Sequence, residues 1–137
     1  MEPTREAVTE VTIKLRYRDL DTLGHVNQSV YHVLLEDARV AFLRSLFGNH
    51  PRMVVARVEM DYRHEVRLGD QALTITTAVQ RVGTSSMSLL SRMTTPSGTL
   101  AAEAVTVLVT WDPDERKARP LSDDERQALT AQLDAEG

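Results

Sequence analysis

Residues 31–48 read YHVLLEDARVAFLRSLFG. Tyr31, Leu34, Leu35, Ala38, Phe42 and Leu46 recur at the three- and four-residue spacing of one helix face. Gly48 followed by Pro51 supplies a stop, so the spacing predicts one helix of about five turns. Its opposite side carries Val33 and Val40 beside Glu36, Asp37 and Arg44, which predicts a second packing surface, between subunits. What flanks this helix decides the fold. Before it, Val11, Ile13, Leu15 and Tyr17 alternate with Thr12, Lys14, Arg16 and Arg18, the pattern of a half-buried strand. After it the period returns to two. Val54, Ala56, Val58, Met60 and Tyr62 alternate with Val55, Arg57, Glu59, Asp61 and Arg63, and Met60 and Tyr62 read as core. Gly69-Asp70 is a turn before an alternating run from Leu73 to Arg81, and Gly83 separates that run from Ser86 to Thr95. Pro96-Ser97-Gly98 reads as a hairpin turn leading into a strand from Leu100 to Trp111. Ser122 with Glu125 is a capping box, predicting a short helix from Leu121 to about Leu133.

The expected order is therefore strand, long helix, then four strands joined by short turns. A meander of that kind buries its apolar face only by curling around the one large apolar element available, the helix. The fold class is α+β, a five-stranded antiparallel sheet wrapped around a central helix. The 137 residues are expected to form one domain, with a core at about residues 10–121.

Composition narrows the function classes. With 42% hydrophobic and 26% charged residues the chain has a soluble globular composition, and it lacks the apolar run of roughly 20 residues that spans a bilayer. Met1 to Glu10 holds three glutamates and no apolar block, unlike a secretory signal peptide, so the expected location is cytoplasmic. The absence of cysteine removes disulfides, thiolate metal sites and a thiol nucleophile, and leaves covalent chemistry to carboxylate, hydroxyl or imidazole. A net charge of −4 with scattered arginines gives no footprint for nucleic acid.

The connection between the first strand and the helix is richer than turn chemistry requires. Residues 17–31 read YRDLDTLGHVNQSVY, with two aspartates, a glycine, a histidine and an asparagine between apolar segments. On these residues the chain resembles the hotdog-fold acyl-CoA thioesterases of the 4-hydroxybenzoyl-CoA thioesterase type. The resemblance is carried by Asp19 to Asn27, by Tyr31, by Glu36-Asp37-Ala38-Arg39, by Gly69-Asp70 and by Arg81-Val82-Gly83-Thr84-Ser85-Ser86. It implies a hotdog fold and a homodimer or homotetramer with active sites between subunits. The implied reaction is hydrolysis of a thioester carried on coenzyme A or an acyl carrier protein. No cofactor is implied beyond the coenzyme A portion of the substrate, and no metal. The second aspartate of the family's pattern maps onto Asp21, as nucleophile or as general base toward water. The Gln28 backbone N–H, at the positive end of the helix, is the implied oxyanion donor. Gly24 lets the main chain approach the substrate. His25 would polarise the carbonyl or move a proton. Asn27, Tyr31, Arg81, Ser85 and Ser86 are the implied substrate-binding residues, the serines through the pantetheine arm.

Each has a plainer reading. Asp21 and Asp19 can bind backbone amides within a turn, Asn27 can cap the helix, and Glu36 fits an i,i+3 pair with Arg39 better than a second catalytic carboxylate. His50 and His64 read as exposed turn residues. Two functional rivals remain. A non-catalytic acyl-thioester-binding hotdog protein would lack the carboxylate at position 21, and an enoyl-thioester hydratase would carry a G-D-x-N-P-x-H arrangement that this chain does not have.

Overall fold

The computed structural model describes residues 9–16, 26–48 and 52–136. Strand β1 (Thr9–Lys14) is followed by the long helix α1 (Gln28–Phe47). Then come β2 (Met53–Tyr62), β3 (Ala72–Val82), β4 (Ser86–Thr94), β5 (Leu100–Asp112), a two-residue β6 (Lys117–Ala118) and helix α2 (Asp123–Glu136). The sheet is antiparallel in the order β1-β3-β4-β5-β2, with β6 added to the end of β5. The expected α+β wrap is present, with one more short strand than the alternation signalled. Two residues are too few to show a period.

The long helix starts and stops for local reasons. The Ser29 N–H donates to Asn27 Oδ1 at 2.9 Å, so Asn27 is the N-cap. At the other end Gly48 takes φ 79°, a left-handed conformation open to glycine at little cost, and its N–H donates to the Arg44 carbonyl. Between the caps, Tyr31, Leu34, Leu35, Ala38, Phe42 and Leu43 are buried against the concave face of the sheet. The sheet answers with alternation. Ala102, Ala104, Thr106, Leu108 and Thr110 of β5 are buried on the inner face, and Val105, Val107 and Val109 are half-buried on the outer face. Small Ala101, Ala102 and Ala104 let the first half of α1 sit close, in one cluster with Leu15, Val66, Leu73, Ile75 and Met93. Phe42 and Leu43 belong to a second cluster with Val79, Met87, Leu89, Leu121 and Leu129, which docks α2. Each large side chain so buried contributes about 1.5–3 kcal/mol relative to exposure.

The two sheet edges are β1 and β2. Strand β2 is the more open. A bulge between Val55 and Arg57 reverses its facing, so that Val58, Met60 and Tyr62 lie opposite buried Thr106, Ala104 and Ala102 whereas Val54 lies opposite outward-facing Val109. The uninterrupted alternation expected from Val54 to Tyr62 is thus broken at Ala56. Met60 packs against the core, but Tyr62 is 44% exposed and is not a core residue, because it ends an edge strand with only β5 beside it. Val54 and Val55 are 40% and 45% exposed. No helix among the described residues is long and apolar enough to cross a membrane.

Candidate active site

The start of α1 is held open at the mouth of a cleft. The Val26 N–H donates to the Val66 carbonyl at 2.7 Å, and the N–H groups of Arg63 and His64 both donate to the Ala101 carbonyl. These bonds fix the chain entering α1 and the loop after β2 against the same end of the sheet. Between them lies an open cleft of about 370 Å³, lined by Val26, Gln28, Tyr31, Tyr62, Arg63, His64 and Glu65.

The polar groups of this cleft differ in how far they are already satisfied. Asn27 caps Ser29, through both its N–H and its hydroxyl, so the cap does not reach the Gln28 N–H. No described residue accepts from that N–H, which stands at the positive end of a 20-residue helix. The Tyr31 ring is buried edge-on against Tyr62, with centroids 5.1 Å apart and planes at 82°. Burial, with smaller repulsions from Tyr62 and Asp70, raises the Tyr31 pKa above the usual phenol value, so its hydroxyl stays protonated and can donate. The Tyr62 hydroxyl lies 3.5 Å from His32 Nε2. His64 Nδ1 lies 2.7 Å from the Glu65 carbonyl. A carbonyl only accepts, so Nδ1 carries the proton and, in the neutral ring, Nε2 is left as the basic nitrogen.

The residues expected in the site do not all fall here. Asn27, Gln28 and Tyr31 do. Asp21, Gly24 and His25 lie outside the described residues, as do Asp19 and His50. Arg81, Ser85 and Ser86 stand at the opposite end of the sheet. Ser86 lies level with Val109 and hence with Val54, near the start of β2, whereas Tyr62 ends it. From Val54 to Tyr62 the strand advances eight residues, roughly 26 Å. Within one chain these two groups cannot touch one small substrate centre.

The far turn is firmly built. The Ser85 carbonyl accepts from the Thr110 N–H and hydroxyl, the Ser86 carbonyl from the Gly83 N–H, and the Thr84 carbonyl from the Leu121 N–H. A Cβ on Gly83 would fall 2.9 Å from Ser86 Oγ, so a larger residue there requires the serine side chain to turn aside. The Ser85 and Ser86 hydroxyls have no partner among the described residues. Asp70 closes its turn by accepting from the Arg67 N–H at 2.9 Å, a structural role. Glu36 lies 3.7 Å from Arg39, the pair read from their spacing. His64 is exposed as expected, yet it lines the cleft together with Tyr62. Neither was singled out as a site residue in the sequence, because only the pairing of β2 with β5 brings their segment beside α1. No cluster of three or more potential metal ligands exists among the described residues.

Comparison with known proteins agrees with this architecture. Residues 15–129 match the model of the thioesterase-like superfamily. The chain is 31% identical over 128 residues to the long-chain acyl-CoA thioesterase FadM of Escherichia coli (strain K12), covering 88% of this chain and 96% of that one. Among solved structures, a Thermus thermophilus thioesterase complexed with coenzyme A and Zn superposes with a TM-score of 0.82 at 30% identity, over 90% of this chain and 92% of the other. A predicted thioesterase from Bacillus stearothermophilus gives a TM-score of 0.85 at 26% identity, over 92% and 96%. On the extent of that match, the chain belongs to the thioesterase-like superfamily, with the hotdog arrangement of sheet and helix.

Proposed function

We propose that the protein hydrolyses acyl thioesters of coenzyme A to the free acid and thiol, acyl carrier protein thioesters being the alternative carrier, and that it works in the cytoplasm. The observation that carries the reading is the Gln28 N–H, unmatched among the described residues, at the α1 N-terminus in an open cleft. A thioester carbonyl placed there develops negative charge against a fixed donor and helix dipole, the arrangement that stabilises a tetrahedral intermediate. Asp21 precedes that amide by seven residues and supplies the carboxylate. As general base it takes a proton from water, whose oxygen then attacks the carbonyl. As nucleophile it attacks directly, expels the thiolate and leaves a mixed anhydride that water cleaves. In both routes the thiolate leaves with the carbon–sulfur electron pair and is protonated to the thiol. His25 donates to the carbonyl oxygen or moves the proton. Gly24 gives the main chain room to approach.

Arg81, Ser85 and Ser86 join this scheme through a second copy. The β2 edge is unpaired among the described residues, long, and carries exposed Val54 and Val55 on its two faces, which favours pairing with itself in an isologous homodimer. Antiparallel pairing about a two-fold axis brings the start of one β2 beside the end of the other. The partner's Ser85 and Ser86 then approach this chain's Tyr62 and Gln28, from where their hydroxyls can bind the pantetheine arm. Exposed Val33 provides for a further contact between dimers.

Thiol release from a panel of acyl-CoA chain lengths and aryl-CoA esters tests the activity, with light scattering for the assembly. Turnover of at least one class by a homo-oligomer is expected. Tight binding of acyl-CoA with no thiol released would instead establish the non-catalytic binding protein, and a monomer at micromolar concentration would overturn the shared site.

A further inference from the structure

His32, Glu36, Arg39 and Leu43 lie along one flank of α1, the flank turned toward β2. The backbone of the helix runs nearest β1 and β3, and toward β2 it is side chains that meet, Tyr31 against Tyr62 and His32 near the Tyr62 hydroxyl. Between α1 and β2 runs a groove of about 220 Å³, lined by Arg39, Val40 and Leu43 of α1, Met53 and Val55 of β2, and Leu108 of β5. Arg39 is poorly matched to this place. Its side chain is only 14% exposed, and burial lowers its pKa below the usual guanidinium value. Its one ionic neighbour among the described residues is Glu36, 3.7 Å away and largely in solvent, and no described residue accepts a hydrogen bond from it. A guanidinium has five donors, and a largely buried cation without hydrogen bonds costs free energy that some acceptor normally offsets. The same flank continues into half-buried Val40, exposed Val55 and the free β2 edge. The surface thus sets an under-matched Arg39 and an exposed Glu36 among apolar side chains beside an open strand edge.

We infer that this flank meets the same flank of a second copy, and that Arg39 of each chain donates to the partner's Glu36, forming a reciprocal four-residue ion cluster at the two-fold axis. The inference rests on the two-copy reading and names the contact at its centre. Residues 36 and 39 are one helical turn apart on one side of α1, so antiparallel helices related by an axis midway between them place each Arg39 over the opposing Glu36. Burial against the partner removes Glu36 from solvent and adds, to the loose 3.7 Å pair within each chain, charge-assisted bonds across the axis, which Arg makes well in a planar, two-pronged geometry.

A pair confined to one chain and a pair between chains separate cleanly by mixing. Glu36→Arg gives a chain with two cations on the flank, and Arg39→Glu one with two anions. Each alone is expected to raise the dimer dissociation constant by about 30-fold or more, as truncated or like-charged buried pairs do. An equimolar mixture is expected to recover nearly wild-type association as a heterodimer, seen by sedimentation with one chain fluorescently labelled. If the mixture only averages its two components, the cluster between chains is wrong. Arg39→Gln, which removes charge without adding a like one, guards against misfolding and is expected to weaken association by about tenfold; an unchanged dissociation constant for this variant would overturn the inference equally. A wild-type chain that is itself monomeric would remove the two-copy reading first, a result distinct from either.

Discussion

The two ends of the sheet differ in how many of their polar groups hold the fold together. At the end near the start of β2, polar groups are spent on one another. Arg119 Nη1 and Nη2 donate to the two Glu125 oxygens at 2.8 and 2.9 Å, Glu125 accepts from the Ser122 N–H, and Arg126 Nη2 donates to the Gly83 and Thr84 carbonyls. These bonds staple α2 onto the turn before β4, and buried Leu121 and Leu129 seal the joint. At the other end Arg92 and Arg63 donate to Glu103 at 2.7 and 3.4 Å, main-chain bonds hold Val26 and the loop after β2, and Gln28, Tyr31 and His64 line a cleft. Satisfied polar groups give rigidity, and unspent ones are what chemistry can use. The stapled end is a fixed platform for Ser85 and Ser86, and the open end is where the proposed hydrolysis takes place.

The largest test of that division lies at Asp21. Asp21→Asn keeps size and polarity but loses basicity and useful nucleophilicity, so kcat/KM for thiol release is expected to fall about 10²- to 10⁴-fold with the fold intact by circular dichroism. Near wild-type turnover would move the chemistry away from the segment before α1. Next is His25. If it donates to the thioester oxygen, His25→Ala lowers kcat tenfold or more at little cost in stability, and removes an inflection between about pH 5.5 and 7.5. A kcat within about twofold and an unchanged profile would leave Asp21 and the Gln28 amide as the catalytic pair.

The stapled end is tested by acid. The Arg119 hydrogen bonds, helped by Ser122, hold the Glu125 pKa at about 2 against its ordinary 4.5. An acid with a depressed folded-state pKa contributes stability that is fully present above about pH 4.5 and is lost as pH falls toward 2. Part of the pair meets solvent, so about 1–2 kcal/mol is at stake after screening. Glu125→Gln is expected to lower stability by that amount at pH 7 and to flatten its loss between pH 4.5 and 2, as read by urea unfolding at several pH values. Activity at pH 7 should change far less than in Asp21→Asn.

How much of this was legible in the sequence follows from what each feature depends on. The helix from Tyr31 to Leu46 and the strands were readable because burial on one face writes a period of 3.6 or 2 into neighbouring residues. The Ser122–Glu125 box and the Asn27 cap were readable because both bonds span at most three residues. The bulge at Ala56 left no mark, since Val54 and Val55 are both apolar and either can face inward. Tyr62 looked like core because alternation does not say which strand lies at an edge. The separation of Ser85 and Ser86 from Gln28 was also hidden. It depends on β2 crossing to the far side of β5, and strand order is not written in any local pattern.

Asn27 joins the two uses of polarity in one residue, and gives the smallest and most discriminating expected effect. Its side chain accepts from Ser29 N–H and hydroxyl, a structural bond, beside the Gln28 N–H that has no partner among the described residues. Asn27→Ala removes the cap and is expected to cost about 1 kcal/mol, a fall of several degrees in Tm. If capping is its whole role, kcat at a temperature well below the transition stays within about twofold. Asn27→Asp separates the roles further, because aspartate caps as well as asparagine and its charge favours the helix dipole, so stability should be retained. The same negative charge sits next to the amide proposed to receive an oxyanion and should oppose it. A stable Asn27→Asp variant with kcat lowered several-fold would therefore tie the open helix end to the transition state, whereas full activity in that variant would argue that charge never develops there.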